Sequence, residues 1–199
     1  MALSRFPRIP WQFWLPLVMQ VALILAAPAR SMYTYNMGES VLLQTAPVDP
    51  YDLLRGYYVI LSYQISRPDT LDDLPGWEDI EAAQNQRSLP VYVVLDPPSG
   101  KAISEVEGKG QPWLPVRISR DRPTLDPDQV ALKGLYHWGS LTYGLERYYI
   151  PEDQRVEINE RINQLQRSQP ESYLVEVKID GAGEAVLVSL WIGEKNYRF

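Results

Sequence analysis

The 199-residue chain contains no cysteine and a single histidine, His137. The first absence excludes disulfides, iron–sulfur clusters and thiolate nucleophiles, and removes redox compartment as a guide. The second excludes a multi-histidine metal site within one chain. No loop carries the acidic spacing of an EF-hand. No Gly-x-Ser-x-Gly elbow accompanies His137, which sits between Tyr136 and Trp138 in a strand pattern and reads as structural or surface. Lysines are few and no serine stands in a Ser-Met-x-Pro-like turn, which argues against a serine–lysine dyad. Internal repeats and long low-complexity tracts are also missing. The residues therefore point to no catalytic set, no metal site and no cofactor.

Positive charge is in short supply. Arg5 and Arg8 are the only charges in residues 1–29; without them the 19 basic residues fall to 17 against 25 acidic, a net of −8. Such a body repels phosphate backbones, so a nucleic-acid partner is not expected. What is abundant is proline, 17 residues, and tyrosine, 13 residues, a composition of strands and turns rather than of a helical bundle.

No charge occurs from Ile9 to Ala29. As a helix, those about 21 residues reach roughly 30 Å, the thickness of a bilayer core. Trp11 and Trp14 stand at one end, where interfacial aromatics belong, and the two arginines before the run, against Arg30 alone behind it, place the N-terminus in the cytoplasm. Pro16 is expected to kink the helix. Two readings fit: an uncleaved anchor held in the lipid bilayer through residues 9–29, or a secretory leader cut after Ala29 at Ala27-Pro28-Ala29. Both put the remainder outside the cytoplasm, in the periplasm or a thylakoid lumen. Residues 30–39 read as a polar, tyrosine-bearing linker, and 40–199 as one domain.

Within that domain Val41 to Thr45 reads as a first strand. From Tyr57 the residues Tyr57, Val59, Leu61, Tyr63 and Ile65 alternate with Tyr58, Ile60, Ser62 and Gln64, the period of a principal strand over 57–65. Residues 66–89 form an acidic, proline-broken insertion read as solvated, with a short helix from Trp77 to Gln86. Val91 to Leu95 pairs through a turn with Lys101 to Glu107, and Trp113 to Ser119 follows. Leu132 to Tyr143 is a strand, or two broken at Gly139. Pro151 with Glu152 and Asp153 starts a helix, with Ile158, Ile162 and Leu165 on one inward stripe, ending near Ser168. Tyr173–Ile179 and Ala185–Ile192 flank Asp180-Gly181-Ala182-Gly183, the clearest hairpin in the chain. The expected class is mainly β, eight or nine strands in a sandwich or open barrel, with one late amphipathic helix and an N-terminal transmembrane helix.

The stretch Gly56-Tyr57-Tyr58-Val59-Ile60-Leu61-Ser62-Tyr63 resembles the signature of the GDYXXLXY family of bacterial proteins. Thr45 to Pro50, Val91 to Leu95 and Tyr143 to Glu152 resemble the family as well. Tyr57 departs from the pattern, which has aspartate there, so any role of that acid is absent. The resemblance implies a membrane-anchored, extracytoplasmic protein of no assigned activity, acting near a polytopic membrane protein. It singles out Gly56, Tyr58, Leu61, Tyr63, Gly144, Glu146, Arg147 and Pro151.

The chemistry-bearing side chains have bland readings beside sharper ones. Asp49, Asp52 and Arg55 fix the entry turn, or bind. Glu146 and Arg147 form an internal charge pair, or Glu146 joins Glu152 or Asp49 as paired carboxylates for a glycoside, with 66–89 as a lid. Gly56, Gly134 and Gly144 permit backbone conformations closed to other residues. Trp77, Trp113, Trp138 and Trp191 are core material, or an aromatic platform for a glycan or partner with Trp77 foremost. The expectation is a tethered, non-catalytic interaction module; a carboxylate-dependent hydrolase and a secreted binding module are the alternatives.

Overall fold

The computed structural model describes residues 11–45, 54–55, 58–83, 88–98, 110–166 and 173–198. Asp49, Asp52, Gly56, Tyr57 and the strand expected over Lys101 to Glu107 lie outside them. The chain adopts the mainly β class, in three antiparallel sheets with few helices.

Helix α1 (Trp11–Met37) runs through Pro16 and Pro28. It is long and apolar enough to cross a membrane, and its apolar side chains from Trp11 to Leu25 are exposed. The segment expected as a linker, 30–39, is instead the last turns of this helix, running straight into β1 (Glu39–Gln44). The junction depends on Gly38. Its amide donates to the Thr34 carbonyl at 2.8 Å, and a Cβ there would stand 2.5 Å from that oxygen and 3.1 Å from the Ile179 backbone.

The first sheet orders β1, β9 (Tyr173–Ile179), β10 (Ala185–Ile192) and β11 (Lys195–Tyr197), the last not anticipated. The expected closing hairpin is its centre. A register shift between Leu187 and Ser189 puts Val188, Ser189 and Leu190 all inside, where simple alternation would have turned one out. The second sheet orders β5 (Leu114–Ser119), β4 (Leu89–Asp96), β6 (Val130–His137) and β7 (Ser140–Thr142). β6 and β7 are joined by Trp138 and Gly139, at φ 51° and 80°, a two-residue turn whose left-handed pair matches strand twist.

The third sheet is small: β2 (Leu54–Arg55), β3 (Tyr58–Ile60) and β8 (Arg147–Tyr149). The strand expected over 57–65 thus ends early, with Gln64–Ser66 forming a turn of 3-10 helix. Its alternation nevertheless survives: Val59, Leu61, Tyr63 and Ile65 are buried, and Tyr58, Ile60, Ser62 and Gln64 are not. The face was written locally; the strand length was set by what Tyr63 and Ile65 must reach.

The described part of the insertion, residues 66–83 and 88–89, packs on the core rather than lying solvated. It carries α2 (Pro68–Leu71) and α3 (Trp77–Ala82), and Leu71, Trp77 and Ile80 join the core. The late helix starts as 3-10 at Glu152–Gln154 and becomes α4 at Arg155–Gln166, with Ile158 and Ile162 fully buried. One continuous core takes Val41, Val59 and Leu132 from the three sheets together with these helix residues.

Candidate functional site: the motif clamp and its outer face

Two segments about eighty residues apart in sequence are clamped together at the centre of the molecule. The Tyr63 hydroxyl donates to the Leu145 carbonyl at 2.7 Å, and the Tyr143 hydroxyl donates to the Ile65 carbonyl. Their rings meet edge to face, centroids 6.4 Å apart. The Leu61 amide donates to the Glu146 carbonyl at 2.9 Å, continuing the β3–β8 ladder, and Thr45 bridges Tyr63 from the end of β1. Burial, and secondarily the nearby Glu146 charge, push both phenols well above the ordinary tyrosine range. Both therefore stay protonated donors.

Tyr143 is seated by a neighbour with no side chain. A Cβ on Gly134 would stand 2.8 Å from the Tyr143 ring, so Gly134 supplies space and not an unusual backbone. Gly144 answers the earlier expectation directly: its φ is 75°, with open space around it.

The internal pair expected between Glu146 and Arg147 does not form. Successive residues of an extended segment face opposite ways, so one carboxylate and the next guanidinium cannot share a side. The Glu146 carboxylate turns back to accept from the Tyr143 amide at 2.5 Å, closing the turn around Gly144. Arg147 points outward, its guanidinium carbon 5.5 Å from the centre of the Tyr58 ring. Tyr58 in turn stands opposite Tyr149, rings 5.7 Å apart. Arg55 occupies the register position across from Tyr58 on β2. The outer face of the small sheet thus sets Tyr58 and Tyr149 beside Arg147.

Other anticipated residues are scattered. Trp77 is buried with its ring edge-on to Tyr136, so it offers no platform, and Trp113 is buried too. Trp138 is 88% exposed at its hairpin tip, with the His137 ring at 5.7 Å. Glu152 is exposed and Pro151 half-buried ahead of α4. Neither Glu146 nor Glu152 lines the groove beside the turn at 180–183. Among the described residues no group of three or more histidine, aspartate or glutamate side chains is placed to hold a metal.

Two polar clusters went unnoticed in the sequence. Glu176 on β9 accepts from Ser40 and Ser189 at 2.8 Å and from Arg198 at 3.3 Å, joining the strands of the first sheet. Asp180 accepts from the buried Thr34 hydroxyl at 2.7 Å and from the amides of Ala182 and Glu184. Burial pushes its carboxyl up; those donors and nearby Arg30 outweigh burial and leave it below the usual carboxylate range. Arg30 pairs with Glu184 at 2.8 Å, and Lys133 reaches the same oxygen at 2.9 Å. The signal for Thr34 was its place four residues before Gly38, hidden once 30–39 was read as a linker. A groove of about 190 Å³ opens beside this junction between Met37, Arg122, Leu125 and the turn at 180–183.

No curated protein and no solved structure matches the chain. A family model described as GDYXXLXY protein matches residues 20–190, spanning most of α1, the three sheets apart from β11 and the end of β10, and both halves of the clamp. The chain belongs to the GDYXXLXY family.

Proposed function

We propose that the chain is a membrane-tethered, non-catalytic interaction module. Its folded body stands outside the cytoplasm and assembles with a polytopic membrane protein. One observation carries this reading: the motif side chains divide between two tasks. Leu61, Tyr63, Tyr143 and the Glu146 carboxylate are consumed in holding the small sheet against its neighbours. Tyr58 and Arg147, from the same two segments, turn outward with Tyr149. Tyrosine and arginine are the residue types that dominate binding hot spots, and an open sheet face suits a protein partner better than a small substrate, which takes a concave pocket. The bare apolar half of α1 supports the tether, and the arginines ahead of it support the orientation.

A photo-crosslinking residue at Tyr149 in the full chain, expressed in its own membranes, tests the assembly. The expected result is one recurrent, near-stoichiometric membrane-protein adduct, lost on Arg147→Ala. No adduct at Tyr149, or an adduct indifferent to Arg147, defeats the reading. A C-terminal reporter that fluoresces only in the cytosol tests the side of the membrane: darkness is expected, and a bright signal from the membrane fraction reverses the orientation.

A further inference from the structure

The tether is built as a strut rather than a leash. Among the described residues, the hydrogen bonds, ion pair and ring contact between α1 and the domain all use residue 30 or later. Arg30 meets Glu184, Thr34 meets Asp180, and the Tyr35 ring lies 5.2 Å from the Lys178 ammonium. The helix continues without interruption into Gly38 and β1. Two side-chain bonds, a cation–π contact and a backbone close approach fix one rod to one corner, so the rod cannot swivel without breaking them.

That corner is the β9–β10 turn. Ala29, the end of the charge-free run, is five residues before Thr34, a rise of about 7.5 Å. The interfacial layer beyond each side of a bilayer core is itself roughly 5–7 Å deep. Tyr33 and Tyr35 are exposed on this part of the helix, as interfacial aromatics are, and stand about 30 Å along it from Trp11 and Trp14. The first part of the domain beyond the hydrocarbon is then the turn at 181–184. Arg122, on the loop after β5, is strapped onto it through the Gly181 carbonyl.

We infer that the β9–β10 turn, with Arg122 beside it, rests on the phospholipid headgroup layer and holds the domain at one fixed height and orientation. The occupant of this surface is lipid. Arg30, Arg122 and Lys133 outnumber Glu184 and Asp180 at this corner of an otherwise acidic body, which suits headgroup phosphates, and the helix delivers that corner to them. The inference rests on the membrane-tether reading above. It adds that the outward Tyr58–Arg147–Tyr149 face is presented to a partner in a set pose.

The natural absence of cysteine makes the test direct. Gly181 has open space around a built Cβ and no left-handed φ, so Gly181→Cys accepts a spin label without disturbing the turn. The full chain, labelled singly at Gly181→Cys or at Leu23→Cys, is placed in nanodiscs of phosphatidylcholine with a minority of phosphatidylglycerol. Collisions with oxygen and with a nickel chelate then report depth. The expected result is hydrocarbon depth for position 23 and, for position 181, nickel collisions cut well below those of free label in buffer. Adding Thr34→Ala and Asp180→Ala restores those collisions at 181. If 23 is buried while 181 collides as freely as label in buffer, the resting surface is overturned and the tether stands. If 23 itself is open to water, the tether reading fails first.

Discussion

Tyr63 and Tyr143 each donate a phenolic hydrogen bond to the other's segment, Tyr63 to the Leu145 carbonyl and Tyr143 to the Ile65 carbonyl. Removing either hydroxyl strands a buried acceptor while leaving the ring in place. Tyr63→Phe and Tyr143→Phe should each cost about 1–3 kcal/mol of unfolding free energy. Their double mutant should fall short of additivity, because both bonds brace one contact. Urea titration of the four-member cycle measures this; strict additivity would mean that the two bonds act independently.

Both phenols have folded pKa values raised above their unfolded ones, by burial first and by Glu146 second. Tyr173, whose hydroxyl caps the Ile162 carbonyl, is pushed up to about 12 by burial. The folded state therefore keeps protons that the unfolded state releases above pH ~10. Stability from these tyrosines is fully present below that pH and falls as pH rises through it. Denaturant midpoints should drop across the alkaline range, and tyrosinate absorbance of Tyr63 and Tyr143 should appear only together with unfolding. Ionisation of Tyr63 and Tyr143 in a still-folded protein would contradict the buried clamp.

Gly134 and Gly144 are both intolerant, for different reasons. At Gly134 an added methyl meets the Tyr143 ring, an overpacking cost of about 1–3 kcal/mol. At Gly144 there is space but a φ of 75°, so alanine costs about 1–2 kcal/mol in backbone strain. Tyr143→Ala in the background of Gly134→Ala should remove most of the added penalty at 134, leaving a close approach to the Thr142 carbonyl, and leave that at 144 untouched. Thermal unfolding of the set separates space from conformation.

Trp138 holds a left-handed backbone while 88% exposed, a conformation asparagine adopts more readily in a two-residue hairpin. Trp138→Asn should raise stability by about 0.5–1 kcal/mol. A loss of stability on that substitution would mean that the indole contributes packing beyond its contact with His137.

The junction of α1 with the domain should weaken in acid. The folded pKa of Asp180 is below its usual value, because its hydrogen bonds and Arg30 outweigh burial. Its contribution is present above the unfolded pKa of ~4 and is lost as pH falls through the folded value. The protection factor of the Gly38 amide, taken against the intrinsic exchange rate at each pH, should fall in that window, and Asp180→Asn should abolish that fall while Thr34→Ser keeps it.

Much of the architecture is readable from residue order, because burial follows local period. The alternation at 57–65, the stripe of Ile158 and Ile162 and the alternation of 175–179 all declare their inward faces within a few residues of themselves. The uncharged run before Arg30 declares the apolar helix in the same way. Those features depend on side-chain polarity and backbone geometry alone, so a single sequence fixes them.

Only the folded molecule decided which distant groups meet. That Tyr63 reaches the Leu145 carbonyl and Arg147 turns out to Tyr58, that Trp77 is buried and Trp138 bare, and that Thr34 finds Asp180 depend on segments whose chemistry is locally ambiguous. A carboxylate or a tyrosine suits a turn, a core or a binding face equally well. The partner brought to it by the three sheets selects among them, and partners separated by eighty or more residues leave no mark on local periodicity.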